Sequence, residues 1–130
     1  MARVIREIGE IEEIIRRAEV CRVAMIEDGR PYVLPFNFGY RDRTVYIHCA
    51  RKGHNLDVLR KNPEVCFEVD VDLEIDKTGP ACKWGVHYAS VLGRGTAEIV
   101  DDSDEKRTGF NVFVEHYGGK ANDYPDDVIE

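Results

Sequence analysis

The sequence predicts a mainly β domain, a small antiparallel barrel with helices at its ends, and three observations carry that expectation. Alternating or β-branched runs long enough for at least five strands are joined by short turn signals. Only three segments have helical character. Their order among the strands, α-β-β-β-α-β-β-α, packs too many strands too close together for a doubly wound sheet. The 130 residues suit one domain over 1–130, with a polar tail over 118–130.

The first helix is read over Ile8 to Val20, where Ile8, Ile11, Ile15 and Ala18 recur at helical spacing and Glu precedes Arg in the sense the helix dipole favours. VCRVAMIE then alternates, with Cys21, Val23 and Met25 on one face. Asp28-Gly29 is a hairpin signal that turns the chain into a second strand, RPYVLPFNFGY. A turn at Tyr40-Arg41-Asp42-Arg43 leads to a third strand, TVYIHCA, completing a meander. The second helix runs from about Asn55 to Lys61 and is closed by Asn62-Pro63. EVCFEVDVDLEI is a fourth strand, with Val65, Phe67, Val69 and Val71 on one face and Cys66, Glu68, Asp70 and Asp72 on the other. After the loop KTGPACKWG, HYASVLGRGTAEIVDD reads as one bent strand in which Gly93 and Gly95 mark a bulge or a close approach. Ser103 caps the last helix, which ends at the pair Gly118-Gly119.

Composition narrows the function. A net charge of −7 opposes a nucleic-acid footprint, which needs a contiguous basic surface. No apolar run approaches membrane-spanning length, and the charged start MARVIREIGEIEE lacks the apolar core of a secretory signal, so the expected location is cytoplasmic. The four cysteines are widely spaced with no CxxC, which fits structural thiols rather than a metal site.

Five features could carry chemistry. Arg51, Lys52 and His54 crowd the start of the second helix, the wrong end of its dipole for cations; an anion such as a phosphate held between them and the helix amides would make the arrangement favourable, and a merely solvated loop is the bland reading. Pro35 removes a ladder donor from the second strand, marking either an ordinary edge or a place where backbone groups stay free for a planar ligand. Asn37, between two phenylalanines, is an edge side chain or a hydrogen-bond donor to a ring. His48 ends the third strand on the face of Tyr46 and Ala50, two residues before the basic loop. Trp84 and Tyr88 lie in an apolar stretch that suits an interface patch or core packing equally. No spacing among the histidines suggests a metal or a hydrolytic triad.

RPYVLPFNFGY, VYIHCARKGHNLDVLRKNPEVCFEV and YASVLGRGTAEIV, in this order and at these intervals, resemble the flavin-binding split-barrel proteins related to pyridoxamine 5'-phosphate oxidase, most closely the nitroimidazole-reductase (Nim-like) branch. The likeness runs from about Ile11 to Tyr117. It implies a Greek-key split barrel, a homodimer, and two FMN molecules in clefts at the subunit interface. Arg51 and Lys52 would hold the FMN phosphate, helped by His54 and Asn55. Val33, Leu34, Pro35, Phe36 and Asn37 would line the isoalloxazine ring, with Ala50 beside the phosphate loop and Ser90 completing the pocket. Trp84 and Tyr88 would approach from the other subunit. His48 matches a histidine held to matter for substrate. The implied activity passes electrons from a reduced nicotinamide or similar donor through FMN to a small acceptor. The alternatives are a non-catalytic flavin protein, or haem or deazaflavin in the same fold. The chain stops at YPDDVIE where relatives commonly continue into another strand, so a last barrel strand is expected to be missing, supplied by a partner or dispensable.

Overall fold

The computed structural model describes residues 3–48 and 53–125. In chain order they form α1 (Ile8–Arg17), β1 (Cys21–Glu27), β2 (Arg30–Phe36), β3 (Phe38–Arg41), β4 (Thr44–Ile47), α2 (His54–Lys61), β5 (Glu64–Asp76), a 3-10 turn (Ala81–Lys83), β6 (Gly85–Thr96) and α3 (Ser103–His116). Four strands make one antiparallel sheet in the order β2-β1-β5-β6, and β3 and β4 pair in a second, two-stranded sheet. The two sheets do not close on each other, which is the split-barrel arrangement the sequence predicts. No helix among the described residues is long and apolar enough to cross a membrane.

Both hairpins turn on two residues with positive φ, the geometry that matches strand twist. Asp28 and Gly29 supply it between β1 and β2, while Asp42 (φ 50) and Arg43 (φ 60) supply it between β3 and β4. An arginine there is strained, at a cost of order 1 kcal/mol.

The expected single strand RPYVLPFNFGY breaks at Asn37, and its halves join different sheets. The cause is visible on the far side of the break. The Phe38 amide donates to the Tyr117 hydroxyl at 3.1 Å instead of continuing the ladder, and the Phe38 side chain is fully buried. Tyr117 in turn donates to the Glu19 carbonyl at 2.7 Å, while His116 Nε2 lies 2.6 Å from the Ala18 carbonyl oxygen. The end of α3 is thereby tied to both the α1–β1 link and the start of β3.

The core lies between the inner face of the large sheet, α1 and β3, and its fully buried side chains are Phe38, Met25, Val69 and Cys21. Cys21, Val23 and Met25 are all buried, as their alternation predicts. In α1 the buried residues are Ile14 and Ile15, with Ala18 buried just past its end, whereas Ile8, which opens the helix, is exposed. The helix also stops at Arg17 rather than Val20, its last amide bond being Ala18 N–H to Ile14 at 3.1 Å.

Three other expectations shift. Gly93 is a close approach, since a Cβ there would fall 2.2 Å from the Phe67 ring, but the bulge sits on the partner strand: Asp72 (φ 57) and Leu73 together oppose Tyr88. Gly95 meets nothing within 4 Å. β6 ends at Thr96 instead of continuing to Asp102, because the Ala97 amide turns to the Pro63 carbonyl at 2.8 Å. The cap of α3 is Asp102, one residue before Ser103; its carboxylate accepts from the Glu105 amide at 3.0 Å. The same helix ends in a left-handed Gly118 (φ 87), with Gly118 and Gly119 amides closing on Glu115 and Val114 carbonyls, each at 3.0 Å. Of the predicted polar tail, Tyr124 folds back to meet the Phe110 ring edge-on at 4.7 Å.

Candidate functional site

β2 is an edge strand, with β1 on one side only. Its residues alternate. Leu34 and Phe36 turn inward and pack against the core, while Val33 (60% exposed), Pro35 and Asn37 face outward. Counted from the two-residue turn, Leu34 and Phe36 hold the hydrogen-bonded positions of the pairing with β1, so the main chain that faces the open edge belongs to Val33 and to Pro35, which has only a carbonyl, and the same two residues offer an apolar strip. An edge whose outer backbone groups lack a strand partner, next to such a strip, fits a flat ring with a polar rim.

The opposite edge of the same face belongs to β6. Register carries the outer face from Pro35 through Arg22 and Glu68 to Leu92, and it sets Ser90 opposite Asp70. Ser90 and Tyr88 (62% exposed) thus share the face of Val33 and Pro35. Three strand spacings separate the two edges, about 14 Å, so residues of one copy do not close on a single ring. Beyond the bulge β5 and β6 overhang, leaving Leu73, Ile75, Val86 and Tyr88 exposed. Trp84 follows the 3-10 turn, 47% exposed, its Nε1–H donating to the Gly79 carbonyl at 3.0 Å with Lys77 over the ring.

His48, at the end of β4, is exposed on one side and rests its ring on two phenylalanines of α3: Phe110 at 5.0 Å and Phe113 at 5.9 Å between centroids. The two phenylalanine rings are nearly parallel, 21° apart at 5.6 Å. This aromatic wall was not legible in the sequence, because it depends on how α3 crosses β4. Gly109 sets that crossing: a Cβ there would lie 2.8 Å from the Tyr46 ring.

Ala50, Arg51 and Lys52 lie outside the described residues. Downstream, Gly53 caps α2 without a side chain. His54 and Asn55 turn toward the β1–β2 hairpin: His54 Nε2 is 2.9 Å from Glu27 Oε1, and the Tyr32 hydroxyl donates to Asn55 Oδ1 at 3.3 Å.

Sequence reasoning missed the charged group at the centre of the outer face. Arg22 Nη1 donates to Asp70 Oδ2 at 3.2 Å and lies 4.0 Å from Glu68 Oε2. Burial, a hydrogen bond to Asp70 and the Asp70 charge together push the Glu68 carboxyl up to about 7, against the pull of Arg22. Glu68 therefore keeps its proton to a higher pH than an isolated carboxyl would. Below them burial, reinforced by the Glu68 charge, pushes the Cys21 thiol up to about 12, which leaves it un-ionised and inert. The signal available in the sequence was the run of acids on one face of EVCFEVDVD; the arginine on a different strand was not.

Comparison with known proteins agrees with this architecture. A profile of the pyridoxamine 5'-phosphate oxidase family matches residues 7–128. No curated protein matches the chain. Among solved structures, a candidate 5-nitroimidazole antibiotic resistance protein from Bacteroides thetaiotaomicron superposes with a TM-score of 0.84 at 30% identity, over 98% of this chain and 76% of that one. A FAD-binding protein from Mesorhizobium loti superposes with a TM-score of 0.64 at 25% identity, over 85% of this chain and 75% of that one. A FAD and haem binding protein from Mycobacterium smegmatis shares the fold, with a TM-score of 0.75 at 19% identity; the match takes in 85% of this chain and 54% of that longer one.

Proposed function

Because the chain belongs to the pyridoxamine 5'-phosphate oxidase family of split-barrel proteins and stands with its nitroimidazole-resistance branch, we propose that it is a cytoplasmic FMN-dependent oxidoreductase acting on a small acceptor. The observation that carries the reading is the open edge of β2, where outward Val33 and Pro35 carry unpaired strand backbone on a face shared with Ser90. Relatives named for FAD binding, the Mesorhizobium loti protein among them, support a flavin. The strongly basic Arg51-Lys52 pair in the sequence favours one that ends in a phosphate, hence FMN.

In this reading the chain's own groups bind and orient. Arg51 and Lys52 neutralise the phosphate, the β2 main chain meets the polar rim of the ring, and Val33 and Pro35 exclude water from one side. Bound FMN would supply a two-electron carrier between a reduced nicotinamide and the acceptor. His48, held against Phe110 and Phe113, presents a ring nitrogen for hydrogen bonding to an acceptor beside the cofactor. The span between β2 and β6 argues for a homodimer, in which Trp84 and Tyr88 of one copy reach the ring held by the other. The exposed Leu73, Ile75, Val86 and Tyr88 are the apolar area such a dimer would cover.

The test is anaerobic. Protein loaded with FMN and freed of excess is mixed with NADH or NADPH, and then with a nitroimidazole as acceptor. The oxidoreductase reading expects the flavin absorbance to bleach with one donor and to recover on adding acceptor. Retained flavin that neither donor bleaches would leave a carrier or sensor in its place.

A further inference from the structure

The segment that follows α3 has little apolar surface with which to stay on the protein. Residues 118–125 lie outside any helix or strand, and all of them are exposed except Tyr124. A polar segment of this kind is ordered only where it is tied down, and here the tie is Asn111. Its Oδ1 accepts from the Asn122 amide at 2.9 Å and from the Tyr124 hydroxyl, while its Nδ2 donates to Asn122 Oδ1 at 3.3 Å. Arg107, one turn earlier on the same helix face, also donates to Asn122 Oδ1 at 3.3 Å, and its guanidinium stands 5.9 Å from the centre of the Tyr124 ring. Asn122 adopts a left-handed conformation (φ 63), which asparagine tolerates better than most residues.

What this anchorage delivers is one ring. Tyr124 meets Phe110 edge-on at 4.7 Å, and Phe110 is the nearer of the two phenylalanines on which His48 rests, at 5.0 Å against 5.9 Å for Phe113. The two supports are buttressed in the same way. Phe113 meets Tyr117 at 5.5 Å, and Tyr117 is fixed by its bonds to the Phe38 amide and the Glu19 carbonyl. Phe110 meets Tyr124, fixed by its bond to Asn111. Among the described residues, the orientation of the imidazole therefore depends on where these two phenylalanine rings sit.

We propose that Tyr124, anchored by Asn111, is a positioning residue for His48: it holds Phe110 where the imidazole rests on it. The inference rests on the reading of His48 as the group that meets the acceptor, and it adds to that reading a residue of the polar segment after α3.

The contact can be read without flavin. An imidazole lying against aromatic rings carries ring-current shifts, so histidine-labelled NMR spectra are recorded on flavin-free wild type, Tyr124→Ala and Tyr124→Phe, with His48→Gln to assign the signal. Positioning predicts that Tyr124→Ala moves the His48 ring protons toward the shifts of free imidazole. Tyr124→Phe, which keeps a ring on Phe110 and loses only the bond to Asn111, moves them less. In FMN-loaded protein, Tyr124→Ala slows reoxidation of the reduced flavin by a nitroimidazole about threefold to tenfold, the range an aromatic pair supplies. Bleaching by NADH or NADPH is unchanged, and Tyr124→Ala adds no further loss on the His48→Gln background. His48 signals or a reoxidation rate that stay at wild-type values in Tyr124→Ala overturn the inference. So does a loss that persists in full beside His48→Gln, or that slows bleaching and reoxidation alike, since the effect then runs through the fold and not through His48. If the protein retains no FMN, or His48→Gln alone is reoxidised at the wild-type rate, the acceptor reading falls and the inference with it, an outcome seen without any Tyr124 variant.

Discussion

Gly39 lies where β3 meets the backbone of α3, and replacing it with alanine tests how the small sheet is seated. A Cβ at Gly39 would lie 2.6 Å from the Val112 carbonyl carbon and oxygen and from the Phe113 amide nitrogen. All three are backbone atoms inside a helix, so no rotamer change relieves the contact; β3 or α3 must move. Overpacking that side chains can absorb costs about 1–3 kcal/mol, and here the upper end, about 3 kcal/mol, applies. At roughly 3–4 °C per kcal/mol for a chain of this size, the melting midpoint should fall by about 10 °C. Circular dichroism melts of flavin-free protein provide the assay, with one alanine control. Gly95→Ala meets nothing within 4 Å and should be neutral. A Gly39→Ala protein melting within about 2 °C of the wild type would refute the packing argument.

Glu68 gives a pH prediction. Its folded value, about 7, stands above the ordinary 4.5, so the native state holds a proton that the unfolded chain has lost across that window, and stability falls as pH rises from about 4.5 to 7. With the side chain about one-third exposed, the loss should be about 1 kcal/mol; Glu68→Gln should flatten it, and parallel pH–stability curves for the two proteins would reject the retained proton. Asp102→Ala removes the carboxylate that accepts from the Glu105 amide, so denaturant unfolding should show about 1 kcal/mol lost, and no loss would mean that Ser103 takes over the cap.

Much of this architecture could be read from local pattern. The alternation of Cys21, Val23 and Met25, the Asp28-Gly29 turn, the stop at Asn62-Pro63 and the glycine pair after α3 each follow from short-range chemistry, and each stands where expected. What escaped was set by contacts distant in the chain. The break at Asn37 depends on a hydroxyl 79 residues beyond Phe38, and the bulge at Asp72 depends on register with β6. The outward alternation of Val33 and Pro35 was legible, and so was the outward set of Glu68 and Asp70. That Arg22 would join that acidic pair was not, because β1 and β5 are paired across an intervening hairpin and helix. His54 and Asn55 show the limit of reading a site from sequence neighbours: adjacent to the basic pair, they nonetheless spend their side chains on Glu27 and Tyr32.

The central claim is that this chain holds FMN through the phosphate, and one measurement addresses it directly. Purified protein is saturated with FMN, passed through a desalting column, and its visible spectrum recorded beside that of Arg51→Ala/Lys52→Ala. The account predicts flavin bands close to one per subunit in the wild type and their loss in the double variant. A wild-type protein that emerges colourless, or a double variant that stays as yellow as the wild type, would contradict it.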